Sequence, residues 1–264
     1  MNRLLLTCLL VGMTACSGGE KVDDTGNPAD SGDSADTGDT GSTLDAVCTE
    51  AVEPTCIDDM ILDLSLQDNK TSDGEVVTTV DGADFVTTVD ASAGGSDNAD
   101  RNAWTYVSFG VDGATRIDLD DETALENMDW DLALKRYIIR VNSGDSGPSC
   151  VGVDTESRMT YEEITAVPDG ATYLQDDFYT DACAYQEDNS GLPSSPDVAM
   201  HDWWEYPRRC VEMTMTPFVV QKADGHIFKI VVESYYGEDQ ADCADDGQST
   251  ALGGYFILRW KMLN

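Results

Sequence analysis

Three Asp-Gly pairs set the architecture of this chain: Asp81-Gly82, Asp112-Gly113 and Asp224-Gly225. A two-residue Asp-Gly loop needs positive φ, which glycine supplies freely, and it joins antiparallel strands whose twist it matches. The flanking runs fit that role. Val76 to Val80 and Phe85 to Val89 flank the first pair, Trp104 to Phe109 and Thr115 to Leu119 the second, Phe218 to Lys222 and Ile227 to Tyr235 the third. Met60, Leu62, Leu64 and Leu66 alternate with Ile61, Asp63, Ser65 and Gln67, the period of a further strand. Trp130 to Val141 reads as one long strand, with Trp130, Leu132 and Leu134 on one face and Asp131, Ala133 and Lys135 on the other. Tyr255 to Met262 reads as a closing strand. Helix signals are short: Asp121 to Met128 could make two turns, and Thr160-Tyr161-Glu162-Glu163 resembles a capping box that Pro168 would stop. Gly191, Pro193, Pro196 and Pro207 break the stretch 181–210. The expectation is one all-β domain over 46–264 with one or two short helices.

Charge and composition narrow the function. The chain has 264 residues, with 51 acids against 15 bases, a formal charge of −36. A nucleic-acid partner needs a basic surface, so none is expected. An apolar share of 41% is enough for a packed core. The sequence has no G-x-S-x-G, H-E-x-x-H or G-x-G-x-x-G, and only two histidines. Adjacent Glu162 and Glu163 point to different sides of a helix, and Trp130 and Arg136 read as a core residue and an ion-pair partner. No catalytic residue and no resident metal site is expected.

The N-terminus reads as an address. Arg3 precedes an apolar run, Leu4 to Met13, too short to span a bilayer, and Met13-Thr14-Ala15-Cys16 resembles a lipobox. On that reading residues 1–15 are a signal peptide, and acylated Cys16 anchors the chain to a lipid bilayer at about 0.8 kcal/mol per buried methylene. An ordinary secretory signal with a chance Cys is the alternative. Residues 16–45, rich in Asp, Ser, Thr and Gly, read as a disordered tether. With Cys8 lost and Cys16 lipidated, Cys48, Cys56, Cys150, Cys183, Cys210 and Cys243 remain. An even number in an exported chain suggests three disulfides. Proximity in sequence pairs Cys48 with Cys56 and leaves the other four unassigned.

Three stretches, in this order, resemble the HmuY-like haem-binding lipoprotein family. The first is Trp104-Thr105-Tyr106-Val107-Ser108-Phe109 leading into a D-G turn. The second runs from Asp129-Trp130-Asp131-Leu132-Ala133 through Arg140-Val141-Asn142-Ser143-Gly144. The third comprises Tyr206, Pro217-Phe218-Val219-Val220, Ala223-Asp224-Gly225, Lys229, Ser234-Tyr235-Tyr236, and Gly254-Tyr255-Phe256 with Arg259. The resemblance implies a hand-shaped β domain at the outer membrane or cell surface that carries haem without catalysis and passes it to a haem-uptake receptor. Haem as cargo demands axial His or Met ligands, an apolar cleft and groups near the propionates. The ligand candidates are His201, His226, Met200 and Met213. The pocket candidates are Trp203, Trp204, Arg208 and Arg209. His226 could equally be a solvent-facing turn residue, His201 a surface residue of a loop, and Met213 core packing. The alternative is an adhesion or protein-contact module with the same fold and no haem site.

Overall fold

The computed structural model describes residues 47–264 apart from 191, 193, 208–209 and 241–252. The segment expected as a signal peptide, Cys16 and the expected tether, together with Arg208, Arg209 and Cys243, therefore lie outside the described residues. In chain order the elements are α1 (Ile57–Asp63), β1 (Val76–Asp81), β2 (Asp84–Asp90), β3 (Thr105–Gly110), β4 (Gly113–Ile117) and α2 (Asp121–Ala124). They continue with β5 (Leu132–Lys135), β6 (Ile138–Val141), β7 (Gly152–Thr155), β8 (Trp204–Glu205), β9 (Glu212–Met213), β10 (Phe218–Gln221), β11 (Ile227–Ser234) and β12 (Tyr255–Met262). Among the described residues the domain is all-β, as the Asp-Gly turns imply, with two short α-helices. Among the described residues no helix is long and apolar enough to cross a membrane.

The strands form a six-stranded sheet, β1-β2-β12-β11-β10-β7, and a four-stranded sheet, β4-β3-β5-β6; β8 and β9 pair separately. All three expected hairpins form. Asp81 pairs with Asp84, Gly110 with Gly113, and Gln221 with Ile227. Gly82 and Gly225 take φ of 66° and 84°, the backbone their turns demand. Alternation then sorts the side chains of the smaller sheet. Val107, Phe109, Leu132, Leu134, Ile139 and Val141 share one cluster with Phe228, Ile230, Leu258 and Trp260 of the larger sheet. Phe109 stacks on Phe228 at 4.8 Å and meets Trp260 edge-on at 5.0 Å, so the space between the sheets is filled. The opposite face carries Tyr106 and Ala133, packed with Met60, Trp104, Trp130 and Phe178 in a second cluster.

Four expectations are corrected. The run from Met60 is not a strand but the end of α1. Met60 and Leu64, four apart, are buried while Leu62 is 76% exposed, a helical spacing that a short apolar run cannot distinguish from alternation. Asp58 and Asp59 in its first turn suit the helix dipole. Trp130 to Val141 is two strands, because the backbone turns at Arg136 and Tyr137, and Lys135 pairs with Ile138. Arg136 sits at φ 55°, held by its N–H to Ala91 O at 2.6 Å. Trp130 precedes β5 and packs in the second cluster, away from Leu132 and Leu134. The capping-box segment makes only a turn, in which Thr160 N–H donates to Glu163 Oε2 at 2.8 Å.

The fourth correction concerns cysteine. Cys48 bonds Cys150, and Cys56 bonds Cys183, across 102 and 127 residues; Cys48–Cys56 does not form. Sequence proximity speaks only to loop entropy, whereas a disulfide requires neighbouring Cα positions in the fold. Val52 N–H donates to Pro148 O at 2.8 Å, bringing the segment around Cys48 alongside 148–150. Tyr179 OH donates to Asp63 Oδ2 at 2.9 Å, bringing α1 to the segment that carries Cys183. Cys210 is also disulfide-bonded.

Candidate functional site

The loop that precedes β8 is built around Met200, which is fully buried. A single 3-10 turn, His201–Trp203, follows it. Trp203 turns inward against Phe256 at 5.2 Å and Tyr235 at 5.8 Å, and Trp204 lies 5.5 Å from Tyr137. Met200, Trp203 and Trp204 thus belong to the main core, and Met213, paired with Trp204, packs against it half-buried. His201 reaches solvent, with its side chain 40% exposed.

His201 lines an open groove of about 940 Å³. One wall is the segment from Val52 to Thr55, a second runs from Tyr173 to Asp177, and the third is the His201 loop. Nδ1 of the imidazole lies 2.8 Å from Val198 O, and Nε2 lies 3.0 Å from Asp202 Oδ1; Asp197 stands 3.5 Å from Nδ1. Asp176 fixes the loop from beneath. It accepts N–H bonds from Ala199 at 2.8 Å and from Val141 at 2.9 Å, and a hydroxyl bond from Ser146. Burial raises its carboxyl to about 6, against those bonds. Asp145 accepts from Tyr179 N–H at 2.7 Å and is also raised by burial. With Glu53, Asp177, Asp197 and Asp202 these carboxylates make the groove anionic.

His226 is elsewhere, in the β10–β11 turn. Its N–H donates to Asp224 Oδ1 at 3.0 Å, and Nδ1 lies 3.2 Å from the same oxygen. It does not line the His201 groove. The geometry therefore supplies one imidazole, not a pair, and no buried aromatic slot beside it. Among the described residues no cluster of three or more His, Cys, Asp or Glu side chains is arranged to hold a metal ion. Sequence reasoning singled out His201 but missed its walls, one of which, Val52 to Thr55, comes from nearly 150 residues earlier, and another, Tyr173 to Asp177, from about 25 residues earlier. The even cysteine count signalled bridges but not their partners: both tie the 48–56 segment to the later chain, where proximity pointed to a local pair.

Two packed antiparallel sheets with an open groove beside one histidine define a β-sandwich with a candidate binding groove at its edge loops. The sequence profile described as "HmuY protein" matches residues 100–245, more than half the chain and a span that includes both histidines. The chain belongs to the HmuY family. Among solved structures it is similar to a Bacteroides vulgatus protein provisionally described as a HmuY-like heme binding protein, at 16% identity and TM-score 0.43, covering 70% of this chain and 95% of that one. A Bacteroides fragilis protein provisionally described as a lipoprotein shares 16% identity at TM-score 0.40, with 70% and 95% covered. The apo HmuY analog of Tannerella forsythia shares 16% at TM-score 0.42, with 72% and 97% covered. No curated protein matches the sequence.

Proposed function

We propose that this protein is a lipid-anchored surface lipoprotein that binds haem or a related flat ligand in the His201 groove, without catalysis, and passes it to an uptake receptor. The observation that carries the reading is the imidazole itself. Nδ1 lies against Val198 O, a backbone acceptor that can orient the ring as it does at metal-ligating histidines, and Nε2 points toward the groove side of the loop, against Asp202. Asp202, its side chain about half exposed, is the group that iron must displace from Nε2. The ring would lie along the apolar parts of the walls, Val52, Pro54, Leu174 and Val198, with its propionates turned outward from the carboxylates. Family membership supports the cargo, and the lipobox around Cys16 supports the anchor.

Titration of the purified protein with haemin tests this. A red-shifted Soret band that His201→Ala abolishes and His226→Ala leaves intact is the expected result. No band at micromolar protein would overturn it. For the anchor, Cys16→Ser should move the protein from the membrane to the soluble fraction.

A second reading, a protein-contact module with no haem site, draws on the engagement of both imidazoles by carboxylates and on the filled interior. The same titration separates the two.

A further inference from the structure

The β5–β6 turn forms one lip of a second groove, about 310 Å³, that shares no residue with the His201 groove. Leu64 and Ser65, following α1, face Lys135, Arg136 and Tyr137 across it, with Trp104 in the floor. Lys135 is 5% exposed. Its ammonium donates to one carbonyl, Ser65 O at 3.2 Å, and stands 5.7 Å from the centre of the Trp104 ring. Arg136 is held in place by Nη1 donating to Gly253 O at 2.7 Å. Among the described residues neither cation has a carboxylate within 4.0 Å, although acids outnumber bases 51 to 15. The groove's own acids are engaged elsewhere. Asp63 accepts from Tyr179 OH at 2.9 Å, and Asp100 stands 3.9 Å from Arg101.

A desolvated ammonium with unused donors is costly to keep unless something pairs with it. We propose that this groove binds a small planar carboxylate, whose anionic end pairs with Lys135 and Arg136 while its ring lies against Tyr137 and the edge of Trp104. The volume is at the low end for ligand pockets and suits a one- or two-ring molecule. Burial holds the Lys135 amine down at about 8, with Asp121 and Asp100 opposing that shift and Arg140 and Lys70 adding to it. A bound carboxylate therefore completes a charge that the fold leaves weakly supported.

Calorimetric titration of the full chain with indole-3-acetate, tryptamine and acetate tests the proposal. Indole-3-acetate should bind at submillimolar concentration, and the ring without the anion and the anion without the ring should each bind about tenfold more weakly. Lys135→Met should weaken indole-3-acetate about tenfold, and Arg136→Gln, at the half-exposed lip, should weaken it even if the first variant folds poorly. His201→Ala should leave it unchanged, so this site and the haem groove succeed or fail separately. Equal binding of tryptamine, no binding of indole-3-acetate, or wild-type affinity in Arg136→Gln would overturn it.

Discussion

The Arg140 guanidinium lies 4.1 Å from the centre of the Trp104 ring, and both side chains are buried out of reach of water. Arg140 projects from β6 on the face opposite the main core. Nη2 donates to Tyr106 OH at 3.4 Å, Nη1 reaches Met60 Sδ at 3.8 Å, and among the described residues Nε has no hydrogen-bond partner. The charge is supported by stacking and by Asp121, which accepts from Trp104 N–H at 2.9 Å and Tyr106 OH at 3.0 Å. A lysine cannot reproduce a planar group lying on an aromatic face. Arg140→Lys should therefore cost about 2 kcal/mol in urea unfolding, the scale of a desolvated cation–π contact. Arg140→Met should cost less, because it leaves no misplaced cation buried, even though Asp121 then loses one cationic neighbour. A larger loss for Met than for Lys would show that the charge, not the stacking, matters.

Two buried carboxylates set the response to pH. Asp131, 3.5 Å from Lys222, and Asp176 are each raised by burial from 3.8 to about 6. Between those values the unfolded chain has lost protons that the folded chain keeps, so stability falls as pH rises through the window. Each group contributes at most about 3 kcal/mol by the size of the shift. The melting temperature should be higher near pH 4 than near pH 6.5, and Asp176→Asn should flatten that slope. A melting temperature that rises across the interval in the native protein would refute the assignment.

The hairpins were legible because an Asp-Gly turn is a local instruction: Gly82, Gly113 and Gly225 all stand at positive φ. The turn at Arg136 was not, since nothing in Lys-Arg-Tyr demands left-handed backbone. That conformation comes from the carbonyls of Ala91 and Gly253, set by strands far away in sequence. The site divides the same way. His201 stands out as one of two imidazoles, but Trp203 and Trp204 beside it serve the core, because an apolar face says only that a residue is buried and not what it is buried against. The groove walls depend on long-range bridges that no local pattern specifies.

The Cys56–Cys183 bridge closes a loop of 127 residues and holds the end of the Val52–Thr55 wall. Replacing both cysteines by serine should cost about 4–5 kcal/mol by the loop-entropy relation. Haemin affinity should fall with it, because the wall loses its anchor. Unchanged unfolding with weakened haemin binding would mean that the bridge shapes the groove without stabilising the fold.

Gly144 offers a sharper test of the groove. Its φ is 58°, and a Cβ there would stand 2.0 Å from the carbonyl oxygen of Asp176. Gly170 shares the conformation, at φ 82°, but has nothing within 4 Å. Gly170→Ala should therefore pay only for backbone strain, about 1 kcal/mol, whereas Gly144→Ala must also push the 173–177 segment away. That push acts on Asp176, whose side chain accepts the Ala199 N–H beside His201. Gly144→Ala should lose about 3 kcal/mol or more in chemical denaturation and weaken haemin binding, while Gly170→Ala leaves haemin binding as it was. Equal haemin affinity in the two variants would uncouple the 173–177 wall from His201 and remove the mechanical link on which that site depends.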